Sequence, residues 1–370
     1  MTSRNLESHS PLRYAVVGTG MMGVEHIYAL GAIPGCEVVA LCDPHEASRS
    51  RARAAVSRPV AEFDSVGELA AHGGFDVAVV ASPNFTHRSV VETLLTTNAH
   101  ILIEKPLCTT VDDCRAVIEA ERSLNVPGRV VWVGLEYRYM APTKRLLEHT
   151  RSGRLGSLRM LAIREHRFPF LVKVNDWNRF SANTGGTLVE KCCHFFDLMR
   201  LMLGSEPVRV YASGAQDVNH LDERYDGKVP DILDNAMVIV DFANGERASL
   251  DLCMFAEATK NEQEISVVGD LGKAEALVTE GVVRFGLRAN GWFQCEEERL
   301  GHGDIPDVVL EHGAHHGSSW RQHLAMQAAI RTGSPAEVSL RDGLMSVAMG
   351  QAAHRSIDEG RPILMAEVVD

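Results

Sequence analysis

The chain has 370 residues, enough for two domains at about 150 residues each. Its 45% apolar and 23% charged residues exclude the disordered, collagen-like, coiled-coil and disulfide-miniprotein classes. With 37 Lys and Arg against 49 Asp and Glu, the net charge of −12 argues against nucleic-acid and anionic-membrane partners.

The N-terminal stretch is polar and has no hydrophobic signal core, so residues 1–12 are set aside as a loose leader. From Tyr14 onward, short apolar runs alternate with helical patterns. Tyr14–Val17, Glu37–Cys42, Val60–Phe63, Phe75–Ala81, His100–Ile103 and Val130–Leu135 read as strands. Met21–Ile33, Ala47–Val56, Ser65–Ala71, His87–Thr97 and Val111–Leu124 read as the helices between them. Continuous apolar strands joined by helices predict a parallel sheet covered on both faces. Residues 13–140 are therefore expected to form an α/β, doubly wound Rossmann domain.

After Pro142 the texture changes. Ser157–Arg167, Val208–Gly214, Asn235–Phe242, Arg247–Phe255, Gln263–Val268, Ala274–Val278 and Val282–Phe285 read as strands, several joined by short turns. One helix is expected over Gly186–Leu203, and a closing helical stretch over Ser318–Arg331 and Arg341–Glu359. Residues 141–370 are expected to be an α+β domain with a large, mainly antiparallel sheet, its last helix and strand placed to pack back on the first domain. The eight cysteines form no C-x-x-C pair and read as buried free thiols of a reducing cytoplasm. No apolar run approaches the roughly 18–20 residues that span a bilayer.

Gly18-Thr19-Gly20-Met21-Met22-Gly23 fits G-x-G-x-x-G, directly after the first strand and opening a helix. Gly18 permits the turn, Gly20 lets backbone approach a pyrophosphate, and Gly23 lets helix and strand pack closely. Free N–H groups and the positive end of the helix dipole would face the phosphates. Asp43, 20 residues beyond Gly23, is placed to accept hydrogen bonds from the adenosine ribose hydroxyls. Its charge would repel a 2′-phosphate, so NAD is favoured over NADP, with His45 and Arg49 nearby to soften the preference.

Two further loops follow strands, where open α/β sheets bind ligands. One carries Ser82-Pro83-Asn84 and His87; the other is Glu104-Lys105-Pro106. In the second half, Gly185-Gly186-Thr187-Leu188-Val189-Glu190-Lys191-Cys192-Cys193-His194 is a glycine-rich turn into a helix. With the glycine motif, these segments resemble the glucose–fructose oxidoreductase/inositol dehydrogenase/rhizopine-catabolism (Gfo/Idh/MocA) family over nearly the whole chain. Gly333–Pro362 is similar to that family's C-terminal helix and closing strand. The resemblance implies NAD(P)-dependent oxidation or reduction at a secondary alcohol, with Lys105, Glu190 and His194 around the reacting hydroxyl. It also implies cofactor contacts from Ser82, Asn84, His87, Glu104 and Lys105. Glu190 stands where relatives usually have Asp, and Lys191 adds a cation that many relatives lack.

On one helix, Glu190, His194 and Asp197 would share a face, so Glu190 could orient His194 and stabilise its charged form. His194 is then favoured as general base and Lys105 as hydroxyl orienter, with burial expected to lower the lysine pKa. The reversed assignment stands beside it. Trp177, Asn178 and Arg179 are candidate sugar contacts, as are Lys191 and His316. Arg138 is a candidate for the cofactor or for an ion pair at the domain hinge. His312, His315 and His316 lack the spacing of a metal set, and no metal is expected.

The function expected is an NAD-dependent dehydrogenase of a cyclitol, monosaccharide or glycoside. An NAD-recycling epimerase or glycoside-cleaving enzyme is the alternative, with a non-catalytic dinucleotide sensor behind both. A cytoplasmic homo-oligomer, dimer or tetramer, is expected.

Overall fold

The structure, a computed structural model, describes residues 10–370. Most of the expected leader lies outside the described residues. Its last residue, Leu12, and the adjacent Arg13 instead begin the first strand, where Arg13 binds the Asp76 carboxylate through Nη2 at 2.8 Å.

The first sheet holds β1 (Leu12–Val17), β2 (Cys36–Cys42), β3 (Ala61–Phe63), β4 (Val77–Val80), β5 (His100–Glu104) and β6 (Val131–Gly134). Their order is β3-β2-β1-β4-β5-β6, and every pair is parallel. β4 and β6 are buried along their whole length, as their continuous apolar sequences require. The crossover helices are α1 (Met21–Gly31), α2 (Glu46–Ala54), α3 (Val66–His72), α4 (His87–Leu95) and α5 (Val111–Leu124). Ser65 and Thr110 cap the third and fifth by accepting from backbone N–H groups in the first turn. The strand order reverses between β1 and β4, which opens a crevice at their C-terminal ends.

The second sheet has nine strands: β7 (Leu158–His166), β8 (Pro207–Ala215), β9 (Asn235–Phe242), β10 (Arg247–Cys253), β11 (Gln263–Gly269), β12 (Gly272–Leu277), β13 (Val282–Leu287), β14 (Glu296–Arg299) and β15 (Ile363–Leu364). Their order is β14-β13-β12-β11-β7-β10-β9-β8-β15. All pairings are antiparallel except β7 with β10, which run parallel at the centre. Along β9, Ala236, Val238, Val240 and Phe242 are buried while Met237 and Ile239 face outward. β14 escapes sequence reading because it is Glu-Glu-Glu-Arg, exposed throughout, with no apolar period.

The expected helix over Gly186–Leu203 is two, Thr187–Glu190 and Cys193–Leu203, with a turn at Lys191–Cys192. Its glycine lead-in is a packing requirement. Gly185 and Gly186 both have φ of +84°, and a Cβ on Gly186 would lie 2.4 Å from His354 Nε2.

Helices Ser318–Thr332 and Leu340–Glu359 join the two halves. A Cβ on Gly343 would lie 2.9 Å from that of Leu107, so the long helix sits directly on the first domain. Gln351 Oε1 accepts from the Val111 N–H at the start of the fifth helix, 3.2 Å away. Beneath the junction, Arg138 donates to the Asp197 carboxylate at 2.6 and 2.5 Å, with both side chains buried. Arg138 is thus a hinge ion pair, and Asp197 serves it rather than His194. Replacing one member of a buried pair strands the other, at a cost of about 3–5 kcal/mol. Arg138→Met should lower the urea midpoint accordingly, and Arg138→Met/Asp197→Leu should recover most of the loss. A single variant as stable as its parent would contradict this role for the pair.

Candidate active site

The crevice is a cavity of about 910 Å³ running from the glycine turn to the second domain. Gly18 has φ of +86°, and a Cβ there would lie 2.4 Å from the Ser82 backbone nitrogen. A Cβ on Gly23 would lie 2.1 Å from the Gly18 carbonyl oxygen. Both glycines are therefore dictated by the protein's own packing. Gly20 differs: nothing lies within 4 Å of a Cβ built on it. It caps α1 without a side-chain hydrogen bond, leaving first-turn N–H groups facing the cavity that Met21 and Met22 also line. That cradle fits a pyrophosphate.

Asp43, at the end of β2, is fixed by the Thr19 and His45 N–H groups, each 2.8 Å from one carboxylate oxygen. Asp43 and Asp64 line this end of the cavity with Arg51. Arg49 is drawn to Glu46 and Asp64, both at 2.6 Å. Asn84 lines the wall with a buried Nδ2 that lacks a hydrogen-bond partner. His87 clamps two loops together, its ring nitrogens 2.9 and 3.0 Å from the carbonyl oxygens of Pro106 and Ser82.

At the far end the wall carries Lys105, Glu190, Lys173 and Trp177. The Lys105–Pro106 peptide is cis, and Lys105 Nζ donates to the Glu190 carbonyl oxygen at 3.3 Å. Behind it, Glu104 Oε1 lies 3.0 Å from His26 Nε2, and His26 Nδ1 lies 2.9 Å from His323 Nε2. Burial works to lower the Lys105 pKa, but Cys193 and then Glu190, Glu136 and Glu104 outweigh it and hold the pKa above the ordinary lysine value. The expected lowering is thus reversed: Lys105 is an ammonium. Burial raises the Glu190 carboxyl, with Lys105 and Lys173 opposing.

His194 does not share this wall. Its side chain is buried and its ring stacks on Tyr137, centroids 4.0 Å apart and planes at 8°. Nε2 lies 3.7 Å from Glu136 Oε1, while Nδ1 has no hydrogen-bond partner. Burial, then Lys105 and Lys191, push its pKa well below the ordinary histidine value. The expected Glu190–His194 pairing is not formed. The turn at Lys191–Cys192 separates the two residues into different helices, and the histidine's carboxylate neighbour is Glu136. Lys191 is spent inside the domain, 2.8 Å from Glu165 and 2.7 Å from the Tyr137 hydroxyl.

Glu136 escaped sequence reading, although an acid just past the end of β6 is a usable signal. Both its oxygens are buried without a hydrogen-bond partner, and burial with Glu104 nearby raises its pKa to about 7. His315 lies 3.8 Å from it through Nε2 and 3.0 Å from Glu25 through Nδ1. The other residues expected at a substrate divide. Trp177 lines the cavity, edge-on to Phe85. Asn178 instead donates to the Leu171 carbonyl at 3.0 Å, and Arg179 pairs with Glu223 at 2.8 Å, so both hold the loop's base. His312 stacks on Tyr28 at 3.8 Å, and His316 is exposed with φ of +52°.

A family description for an oxidoreductase NAD-binding Rossmann fold matches residues 12–134, and one for the same family's C-terminal alpha/beta domain matches 148–365. The chain belongs to the Gfo/Idh/MocA family of oxidoreductases. It is 27% identical over 365 residues to myo-inositol 2-dehydrogenase of Thermotoga maritima, covering 97% of this chain and 100% of that one. It is 28% identical to inositol 2-dehydrogenase 1 of Saccharopolyspora erythraea, covering 95% and 96%. An oxidoreductase domain protein from Kribbella flavida shares the fold with a TM-score of 0.83 at 19% identity, covering 96% and 100%. Among the described residues, no helix is long and apolar enough to cross a membrane.

The glycines separate fold from cofactor. Gly20→Val should leave the unfolding midpoint near that of the parent yet weaken NADH binding by about tenfold or more, roughly 1.4 kcal/mol. Gly23→Val should unfold earlier, because its side chain must displace the Gly18 carbonyl. Fluorescence titration with NADH and thermal melts read both, and a Gly20→Val protein that binds NADH normally would remove that position from the cofactor site.

Proposed function

We propose that this protein is an NAD-dependent dehydrogenase of a secondary alcohol on a cyclitol, monosaccharide or glycoside. The observation that carries the reading is the pair Lys105 and Glu190 on the wall beyond the glycine turn, a cation and a carboxyl at the end of a dinucleotide-shaped cavity. The inositol dehydrogenases among its relatives support it. Nicotinamide, when bound, accepts the hydride of the carbinol carbon. Lys105 holds the reacting hydroxyl and stabilises the oxygen as negative charge develops on it. Glu190, more basic than an ordinary carboxylate, takes the hydroxyl proton. Neutral His194 stays in the layer behind, against Tyr137 and Glu136.

Asp43 and Asp64 at the adenosine end support NAD over NADP. The free thiols of all eight cysteines and the need for a nicotinamide pool support a cytoplasmic setting. The outer face of the second sheet presents Met160, Tyr211, Met237 and Ile239, and its extent supports a dimer or tetramer.

Lys105→Ala should cut kcat by about 10²–10³ while NADH binding persists. Because Glu190 must be ionised to accept a proton and its pKa is raised, oxidation should fall as pH drops through that raised value. Log kcat/KM against pH should show the limb above the ordinary carboxylate range. Glu190→Gln should abolish it and His194→Ala should keep it. A limb that vanishes in His194→Ala and survives in Glu190→Gln would transfer the base to His194. Turnover of a sugar without net NADH would favour the recycling epimerase or lyase instead.

For the cofactor, kcat/KM should be greater with NAD than with NADP, and Asp43→Ala should narrow the difference. Equal use of both by the parent would overturn the preference.

A further inference from the structure

Lys173 is not engaged by the mechanism above. It stands on the cavity wall with Lys105 and Glu190, and among the described residues its ammonium has no ion pair or hydrogen bond. The wall at this end therefore carries two ammonium groups, of which Lys105 has the carboxyls of Glu190 and Glu104 about it and Lys173 has no direct partner. Glu104 is committed to His26, and Lys191 is already neutralised by Glu165. The electrostatic surroundings agree: burial lowers the Lys173 pKa first, Glu190 opposes, and Lys105 adds to the lowering. A half-buried ammonium with no direct partner is free to pair with an anionic group of a ligand that enters the cavity.

The loop that carries Lys173 is anchored at its base. Asn178 ties to Leu171, Arg179 to Glu223, and the Asn183 side chain donates to the Trp177 carbonyl at 2.9 Å. Asn175 and Asp176 follow with φ of +55° and +50°, turning the chain so that Trp177 also lines the cavity. A lysine and an indole thus share one wall with the reacting pair.

We propose that Lys173 recognises a carboxylate on the substrate, so that the protein acts on acid-bearing polyols, uronates or aldonates, in preference to neutral sugars and cyclitols. This rests on the dehydrogenase reading and narrows its substrate class. A carboxylate placed there pairs the unpartnered ammonium, gains a charge-assisted hydrogen bond and fixes which hydroxyl meets Lys105. No bond is made or broken at Lys173. The same cation could instead meet a phosphate of the cofactor, and the test separates the two sources.

The enzyme–NADH complex is titrated calorimetrically with uronates, aldonates and the neutral sugar of matching configuration, and NAD reduction is followed with the same panel. At least one acid should bind about tenfold or more tightly than its neutral counterpart and show the higher kcat/KM. In Lys173→Met that advantage should vanish, mainly through KM, with NADH affinity as in the parent; Lys173→Arg should restore part of it. Neutral sugars bound as tightly as acids by the parent, or no acid bound at all, would overturn the proposal. Lost NADH affinity in Lys173→Met with the acid preference intact would assign the lysine to the cofactor and also overturn it. Acid binding that depends on Lys173 without any NAD reduction would uphold the carboxylate site and sink the dehydrogenase reading.

Discussion

The half-buried ammonium of Lys105 is the constraint on which the rest of the molecule depends. A lysine just past an inner strand, partly withdrawn from water, is favoured as a cation by the carboxylates that converge on it. Glu104 comes from its own strand, Glu136 from just beyond the neighbouring strand, and Glu190 from the second domain. Docking of the two halves therefore adds Glu190 to the two carboxyls that the first domain already supplies. That docking in turn requires Gly185 and Gly186 to bring the Thr187–Glu190 helix against the long C-terminal helix, and Gly343 to seat that helix on Leu107. The Arg138–Asp197 pair ties the same junction from beneath.

The carboxyls around this cation are not equivalent, and the protein drives their proton affinities apart. Burial alone would raise them all. Glu104 is held below the usual value because His26 and Lys105 outweigh its burial. Glu25 falls to about 2 under His315, Ser319 and the Ala314 N–H, again against its burial. Glu136 has no hydrogen-bond donor and rises to about 7. Glu190 rises as well, although cations face it. Ionised structural acids thus sit beside protonatable ones within one cluster, the arrangement from which acid–base chemistry is built. His194 shows the converse: burial first, then Lys105 and Lys191, hold its pKa well below the ordinary histidine value.

Cavity shape and charge divide the labour along the crevice. At the glycine turn side chains are excluded at Gly18 and Gly23 by atoms of the protein, whereas at Gly20 a Cβ would meet only open cavity. At the far end side chains line it: Lys105 from the end of β5, and Lys173, Trp177 and Glu190 from a loop and a helix of the second domain. Of the charged groups near this end, Glu190 and Lys173 line the cavity, while Lys191 is turned inward to Glu165.

The sequence by itself determined the first domain nearly strand by strand, because β-branched runs and G-x-G-x-x-G are local signals with a local cause. It also marked Gly20, Asp43, Lys105 and Glu190, each at a strand end or glycine turn. It fixed the alternation of the second sheet, but not β14, whose four charged residues carry no period, nor the parallel seam between β7 and β10. Spacing placed Glu190 and His194 on one face, yet it cannot report a turn between two short helices, and the pair comes apart there. Only the tertiary structure decided that His194 answers to Glu136, that Arg138 is spent on Asp197, and that Lys173 reaches the cavity while Asn178 and Arg179 do not. Those outcomes depend on which charges lie within a few ångströms of each other after residues distant in sequence have packed together. Residue type and period along the chain do not encode that proximity.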